Sequence, residues 1–369
     1  MHTLAELPHT LRFPIRDASH IADARRRAEA LVRYARLTAS ERGRLALIIT
    51  ELGTNILKHA GQGWLLIQSV RADLVFDGSL KLLEPANGEL GVDVIAIDKG
   101  PGMADAAACL EDGYSTAGSS GTGLGAIVRQ SNKFDIYTST TGSSCGTVII
   151  ARVMRDTGHK NGHGQHAFGV AGINVPHEFE EVSGDSWSCR SIDGGINILL
   201  ADGIGHGQDA HLASRSAIAA FQDVKISAPS LQLDVIHDKL IGTRGAAASL
   251  ARWDVSHNQF SFCGIGNVSG SIAMGAGSND AAKVNARKLM TYNGTVGQNV
   301  SKVHKDLTYP ISRESLLILH SDGIATSWNL DHYPGLAAKP ALLIAAVLYR
   351  DFSRGRDDAS IVVAKFSEE

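Results

Sequence analysis

The sequence predicts an α/β protein of two domains, and three observations support this prediction. The chain has 369 residues, which favours two domains over one. Helical and strand-like patterns of apolar residues are mixed in both halves. Between the halves, the polar stretch RDTGHKNGHGQH at residues 155–166 has the composition of a flexible linker. We therefore predict domains at 1–153 and 167–369, joined by a linker at 154–166.

Composition and charge exclude several classes of protein. The net charge of −3 gives no electrostatic case for binding nucleic acid or an anionic membrane. The longest apolar run, residues 341–348, is far shorter than the ~20 residues that span a bilayer. The four cysteines form no CxxC pair, so we expect a cytoplasmic protein without a zinc site or a disulfide framework. His159, His163 and His166 offer a metal-binding alternative for the linker, although short histidine tracts are weak ligand sets.

The first half predicts alternating strands and helices. Thr38 and Ser40 are candidate caps for its longer helix. Residues 72–89 predict an irregular hairpin with turns at its Asp-Gly and Asn-Gly pairs. The predicted helices are 21–34 and 41–60, and the predicted strands are 11–15, 64–70, 92–97, 134–138 and 147–153.

Polar side chains of the longer helix fall beside its apolar stripe. At ~100° per residue, Glu51, Asn55 and Lys58 lie in one narrow arc. Such an arc is either a solvated helix face or the wall of a pocket. In a pocket, the amide of Asn55 would suit Mg²⁺ and the carboxylate of Glu51 would suit a proton. Asp98 ends a strand before a Gly-Pro-Gly turn, where its carboxylate either faces a ligand or only shapes the turn.

A glycine-rich run closes this half of the chain. Residues 111–120 are small and polar and predict a mobile loop. Gly121-Thr122-Gly123-Leu124-Gly125 then leads directly into apolar residues. Closely spaced glycines before a helix allow backbone N–H groups to approach an anion, and the simplest such ligand is a nucleotide phosphate. The alternative is a glycine-rich turn with no ligand.

Three stretches together resemble the nucleotide-binding boxes of GHKL (Bergerat-fold) ATPases, and they occur in the order ELGTNILKHA, DKGPGM and GTGLG. The segment CLEDGYSTAGSSGTGLGAI is similar to the RsbT-type serine kinases, which act on STAS-domain proteins in bacterial signalling. The resemblance covers about residues 10–152 and implies a two-layer α/β sandwich that binds Mg-ATP. It implies these roles: Glu51 as the base for the substrate hydroxyl, Asn55 as a Mg²⁺ ligand, Asp98 with Gly100 and Gly102 at the adenine, Gly121, Thr122, Gly123, Leu124 and Gly125 at the phosphates, and Lys58 or His59 as a charge partner.

Histidine kinases share these boxes and are the nearest alternative. His2, His9 and His20 lie in short polar surroundings that do not predict a phosphoacceptor helix, so we favour a serine kinase. The lengthened segment at 73–89 lies away from the boxes, and we expect it to affect partner binding rather than chemistry.

In the second half, acids recur where strands begin or end. Asp185, Asp202, Asp322 and Asp357 fall in this pattern, and no cysteine accompanies them. Carboxylates that converge in this way suit Mg²⁺ or Mn²⁺, whereas each acid alone would be read as a turn residue. The predicted strands are 168–175, 196–201, 316–320 and 359–366, with helices at 208–224 and 230–241.

The second half resembles the SpoIIE/RsbX-like branch of the metal-dependent PPM serine/threonine phosphatases. The segments that carry this resemblance are, in order, GDSW, LLADGIGHGQDAHLAS, GTRGA, GIGN, HSDGI and DDASIVV. This resemblance covers about residues 167–369 and implies a four-layer αββα sandwich with two Mn²⁺ or Mg²⁺ ions. It implies that Asp202 is the catalytic bridge between the ions and that the Gly203 carbonyl is a ligand. Asp185, Asp322 and Asp357 would complete the ligand set, with Asp358 a weaker candidate. His206 would lie near the phosphate without an assigned role.

The two resemblances together predict a bifunctional kinase and phosphatase that acts on a STAS-domain partner. The alternative is an ATP-dependent partner-binding module with little kinase turnover. Glu51 distinguishes the two, because binding ATP requires no base.

Overall fold

The structure is a computed structural model that describes residues 10–71, 74–76, 90–110, 123–156, 167–254, 257, 259–274, 285–300, 304–311 and 315–367. The described residues form two compact units. The first unit contains 10–71, 90–110 and 123–156. The second contains 74–76 and the described residues from 167 onward. The predicted linker residues 157–166 and the predicted loop 111–120 lie outside the described residues.

The first unit is a two-layer sandwich of helices on one antiparallel sheet. Its strands lie in the order β1-β2-β4-β6-β5. Apolar side chains of α1, α2 and α4 pack with one face of the sheet in a single core. In chain order the elements up to residue 156 are β1 (Leu11–Ile15), α1 (Ala18–Tyr34), α2 (Ala39–Asn55), a π-helical turn (Ile56–Ala60), β2 (Gly63–Arg71), β3 (Leu74–Phe76), β4 (Leu90–Asp98), α3 (Ala106–Leu110), α4 (Gly123–Gln130), β5 (Lys133–Ser139), a 3₁₀ turn (Gly142–Ser144) and β6 (Gly146–Met154).

Local capping explains where the two long helices begin. Thr38 and Glu41 form a capping box, in which each side chain bonds the backbone N–H of the other residue. Asp17 caps α1 through the N–H of Ser19, so this helix begins three residues before the predicted start. The predicted helix 41–60 is α-helical only to Asn55, after which the backbone changes to the π-helical turn.

The second unit is a four-layer αββα sandwich, as predicted. One sheet has the strand order β14-β11-β10-β9-β8 and the other has the order β13-β12-β15-β16-β7-β3. A core of aromatic and aliphatic residues lies between the sheets. Helices α5 and α6 cover the first sheet through a further core, and α7 packs on β7 and β16. The elements are β7 (Ala167–Val175), β8 (Asp185–Ile192), β9 (Gly195–Gly203), α5 (Gln208–Asp223), α6 (Pro229–Leu240), β10 (Ala246–Asp254), β11 (Gln259–Ile265), β12 (Ser269–Met274), β13 (Asn285–Lys288), β14 (Leu307–Pro310), β15 (Leu316–His320), 3₁₀ turns (Leu330–His332 and Leu336–Ala338), α7 (Ala341–Phe352) and β16 (Ala359–Ser367).

Two segments differ from the sequence-based expectation. The predicted hairpin 72–89 is described only at 74–76, which form β3 and pair with β7 of the second unit. Residues 154–156 are predicted as linker, but Met154 is the last residue of β6. Beyond it, the N–H of Arg155 bonds the Leu90 carbonyl and the N–H of Asp156 bonds Glu41. These two residues therefore continue the hydrogen bonding of the first unit beyond β6. Within the described ranges, no helix is long and apolar enough to cross a membrane.

Candidate functional site

The structure brings described residues of all three predicted boxes of the first unit together around the end of α2. Glu51 and Asn55 lie on the last turn of α2, and both side chains are partly exposed. A Cβ atom placed on Gly123 would lie 3.2 Å from Glu51 Oε2 and 3.8 Å from Asn55 Oδ1. The first residue of α4 thus lies against both side chains, and a methyl group there would crowd the carboxylate. The positive end of the α4 dipole faces the same point, where an anion would be stabilised.

The second box joins the same region through Gly100. A Cβ on Gly100 would lie 2.8 Å from the Cβ of Ala60, the last residue of the π-helical turn. Asp98 Oδ1 accepts hydrogen bonds from the N–H of Gly100 at 2.8 Å and from the N–H of Thr147 at 3.2 Å. These bonds fix the Asp98 carboxylate at the end of β4. Gly102 has φ +72°, and a Cβ there would lie 2.2 Å from the Ser139 carbonyl oxygen, so this turn requires glycine.

Two threonines complete this part of the site, and no motif in the sequence marks either of them. Thr147 bonds Asp98, and its hydroxyl lies 3.2 Å from the hydroxyl of Thr138. The Thr138 hydroxyl in turn accepts the N–H of Met103 at 2.8 Å. Both threonines come from strands that follow the boxes in sequence, so only the sheet pairing places them beside Asp98.

Other predicted nucleotide residues occupy different environments. Lys58 and His59 are exposed on the π-helical turn. Leu124 packs against the core of the first unit, and Gly125 is buried. Gly121 and Thr122 lie outside the described residues. The roles assigned to these residues remain predictions.

In the second unit, two of the predicted acids face each other across a strand pair. Asp185 begins β8 and Asp202 lies near the end of β9, and the register pairs them directly. Side chains of directly opposed residues share one face of a sheet ~5 Å apart, where like charges repel. The hairpin that sets this register turns at Asp193-Gly194, both with positive φ (45° and 70°), as a tight two-residue turn requires.

Asp185 is 1% exposed, and neither carboxylate oxygen accepts a hydrogen bond of normal geometry. The hydroxyls of Ser321 and Ser360 lie near enough to favour its charged form. Burial nevertheless raises the pKa of Asp185 to about 7. A buried carboxylate that accepts no hydrogen bond of normal geometry is costly, and a cation would supply a stronger interaction.

Asp322 and Asp357 lie in the same neighbourhood as this pair. Burial raises the pKa of Asp202 to about 10, with further contributions from the charges of Asp185, Asp322 and Asp357. Burial and the charge of Asp357 also raise the pKa of Asp322, against an opposing hydrogen bond from Asn267. That bond joins Asn267 Nδ2 to Asp322 Oδ2 at 2.6 Å and was not foreseen from the sequence.

The remaining acid, Asp358, has a structural role. Its two carboxylate oxygens accept the N–H groups of His177 and Gly184, each at 2.8 Å. The carboxylate thereby fixes the loop that leads into Asp185. Burial raises the pKa of Asp358, and these two bonds oppose that effect.

The donor set fits hard divalent cations, because four carboxylates act on one another and buried Asp185 accepts no hydrogen bond of normal geometry. Within the described chain, no three His, Cys, Asp or Glu side chains already form a complete ligand set. Closing the acids around an ion therefore requires side-chain movement. The backbone at Gly203 is tightly enclosed, since a Cβ there would lie 2.1 Å from the Ala210 carbonyl oxygen. Its predicted role as a carbonyl ligand remains a prediction.

Comparison with known proteins finds relatives of the first unit. Residues 13–153 match the family model described as a histidine kinase-like ATPase domain, which confirms the resemblance predicted for this part of the chain. A particular relative is the serine/threonine-protein kinase RsbT of Bacillus subtilis (strain 168), which is 34% identical over 96 residues. This match covers 26% of the chain and 62% of the length of RsbT.

Two solved structures are similar to larger parts of the chain. One is described as "The bacterial stressosome: a modular system that has been adapted to control secondary messenger signaling". It has 25% identity and a TM-score of 0.47 and covers 54% of this chain and 99% of its own. The other is RsbX in complex with magnesium, with 18% identity and a TM-score of 0.45, covering 57% of this chain and 98% of its own.

Proposed function

We propose that the chain carries two opposed activities. The first unit would be an ATP-dependent serine/threonine kinase, and the second a phosphatase that uses divalent metal ions to hydrolyse phosphoserine or phosphothreonine. The kinase half rests on the position of Gly123 against Glu51 and Asn55. The phosphatase half rests on the direct pairing of Asp185 with Asp202.

In the kinase site, each proposed role follows from the chemistry of the group. The Asn55 amide oxygen would hold Mg²⁺, and Glu51 would accept the proton of the substrate hydroxyl. Asp98, fixed by two backbone N–H groups, would accept a hydrogen bond from the adenine amino group. The N–H groups at the start of α4 would face the phosphates. The name of the RsbT relative, a serine/threonine-protein kinase, supports this assignment for the matched residues.

In the phosphatase site, Asp202 would bridge two Mn²⁺ or Mg²⁺ ions, with Asp185, Asp322 and Asp357 as further ligands. Such ions lower the pKa of bound water and neutralise phosphate oxygens. The chain's own contribution is to hold the carboxylates in place. The β8–β9 register opposes Asp185 to Asp202, and Asn267 orients Asp322. Asp358 fixes the loop before Asp185 through two backbone bonds.

We infer that the substrate is a STAS-domain protein, because the first unit is similar to RsbT over 96 residues and its boxes resemble those of kinases that act on such proteins. The test is to incubate purified STAS-domain proteins with the full chain and Mg-ATP and to map phosphorylated residues by mass spectrometry. We expect phosphate on a serine or threonine, and none with Asn55→Ala. A folded wild-type protein that binds ATP and phosphorylates no STAS-domain protein would contradict the proposed substrate.

A further inference from the structure

The loop 242–245, between α6 and β10, lies beside the loop that follows Asp202. The strand register pairs Ala246 with Gly203, and the N–H of Ile204 bonds the Gly245 carbonyl at 3.1 Å. These contacts place Arg244 at the same end of the sheet as the acids. The phosphatase roles proposed above leave this arginine without a function.

The backbone of Arg244 is held on both sides. Gln298 Nε2 donates to the Arg244 carbonyl at 2.6 Å. The next residue, Gly245, donates its N–H to the Thr243 hydroxyl at 3.0 Å, and that hydroxyl donates to the Leu240 carbonyl at 2.7 Å. The side chain therefore extends from a fixed base, and only its own torsions set the position of the guanidinium.

The Arg244 guanidinium lies over Gly205 and forms an ion pair with Asp209 at the surface. A Cβ placed on Gly205, which has φ +86°, would lie 3.2 Å from Arg244 Nη1. Arg244 Nη2 is 2.8 Å from Asp209 Oδ2, and the two side chains are 50% and 61% exposed. An ion pair this exposed is weak and is readily exchanged for another anion.

We propose that Arg244 leaves Asp209 and binds the phosphate group of the substrate during dephosphorylation. A guanidinium presents two parallel N–H donors that match two phosphate oxygens. Arg354 lies beside the acids instead, because its N–H bonds the carbonyl of Gly323, the residue after Asp322, at 2.8 Å. The inference rests on the proposed phosphatase function and adds to it a group that contacts the phosphate directly.

The test uses the full chain with Mn²⁺ and p-nitrophenyl phosphate, together with calorimetric titration of inorganic phosphate. For Arg244→Ala we expect KM and the phosphate Kd to rise about tenfold, as for loss of a charge-assisted hydrogen bond, with kcat changed less than about threefold. The KM and phosphate Kd of Arg244→Lys should fall between those of wild type and Arg244→Ala, since a lysine keeps the charge and loses the paired donors. Asp209→Asn should lower KM up to about fivefold, because it releases the arginine.

Arg26→Ala and Asp23→Asn are the matched controls, because Arg26 and Asp23 form an exposed ion pair in the first unit. Both control variants should keep wild-type KM. An unchanged KM and phosphate affinity in Arg244→Ala would overturn the proposal. A rise in KM for Asp209→Asn would also overturn it, because the ion pair would then be structural. Absence of hydrolysis by wild type with Mn²⁺ and Mg²⁺ would refute the phosphatase function, and the phosphate affinity of the variants would still decide the role of Arg244.

Discussion

Asp202→Asn should stabilise the metal-free second unit while it removes the response to metal. In the metal-free chain, burial and three neighbouring acids raise the pKa of Asp202 from 3.8 to about 10. The folded state therefore keeps a proton that the unfolded chain loses above pH 4. Stability then falls as pH rises through the window between these two pKa values. An asparagine of nearly the same shape carries no charge and escapes this cost.

The size of the effect follows from the same shift. An assay pH of 7.5 lies roughly 4 units above the pKa of Asp202 in the unfolded chain. This difference limits the gain in the free energy of unfolding to about 5 kcal/mol. Side-chain relaxation and entry of water reduce the expected gain to ~1–3 kcal/mol. For a unit of about 200 residues, this gain corresponds to a rise in Tm of roughly 3–10 °C.

The assay is thermal unfolding followed by tryptophan fluorescence, since three of the four tryptophans, Trp187, Trp253 and Trp328, lie in the second unit and only Trp64 lies in the first. In EDTA at pH 7.5, Asp202→Asn should unfold at a higher temperature than wild type. Added Mn²⁺ at 100 times Kd should stabilise wild type by ~2.7 kcal/mol and so raise its Tm, and it should leave the Tm of the variant unchanged. Between pH 5 and pH 9 in EDTA, the Tm of wild type should fall more steeply than that of the variant.

Asp193→Asn is the control, because Asp193 is an exposed carboxylate at the turn of the same hairpin. Asparagine tolerates the positive φ of that position, so the substitution should change the Tm little in either condition. A clear loss of Tm for Asp202→Asn in EDTA would refute the argument from charge repulsion. A preserved response to Mn²⁺ would refute the assignment of Asp202 as a ligand.

Two further predictions follow from single contacts. Glu51→Gln should reduce phosphorylation of the protein substrate ~10²-fold or more and leave nucleotide affinity nearly unchanged, because it removes the base and keeps the shape of the side chain. Phosphotransfer and the binding of a fluorescent nucleotide are measured side by side, and turnover that persists in the variant would contradict the prediction. Gly203→Ala should destabilise the second unit by ~1–3 kcal/mol or more in denaturant unfolding, because its Cβ would lie 2.1 Å from the Ala210 carbonyl oxygen. Gly43→Ala is the control and should be neutral or slightly stabilising, because a methyl group at Gly43 would meet open space. Equal denaturation midpoints for Gly203→Ala and Gly43→Ala would contradict the prediction.

Locally encoded features of the fold could be predicted from the sequence. Thr38, a candidate cap, does cap α2, and the predicted strands 11–15 and 316–320 are present with the same bounds. Helix α7 escaped prediction because its apolar run at 341–348 has no polar face and hence no helical period. It is buried over nearly its whole length on the second sheet, which only the tertiary structure shows.

The residues of the candidate sites also fall into two groups, those that the local sequence predicts and those that only the tertiary structure reveals. Glycines and acids at strand ends predict Asp98, Asp185, Asp202 and Asp322 as site residues, because such residues interrupt apolar runs in the sequence. Their supporting residues could not be found, since Thr147 and Asn267 reach Asp98 and Asp322 only through sheet pairing and loop packing. The pairing of residues 74–76 with β7 is likewise a long-range contact that the local pattern does not encode.

The most direct test of the central claim compares Asn55→Ala with Asp202→Asn on one purified STAS-domain protein and its phosphorylated form. We predict that Asn55→Ala removes phosphate and adds none, and that Asp202→Asn adds phosphate from Mg-ATP and removes none. Mixed together, the first variant should remove the phosphate that the second adds, at the same residue by peptide mapping. Loss of both activities in either variant, with the protein still folded, would contradict the claim that the chain carries two independent sites.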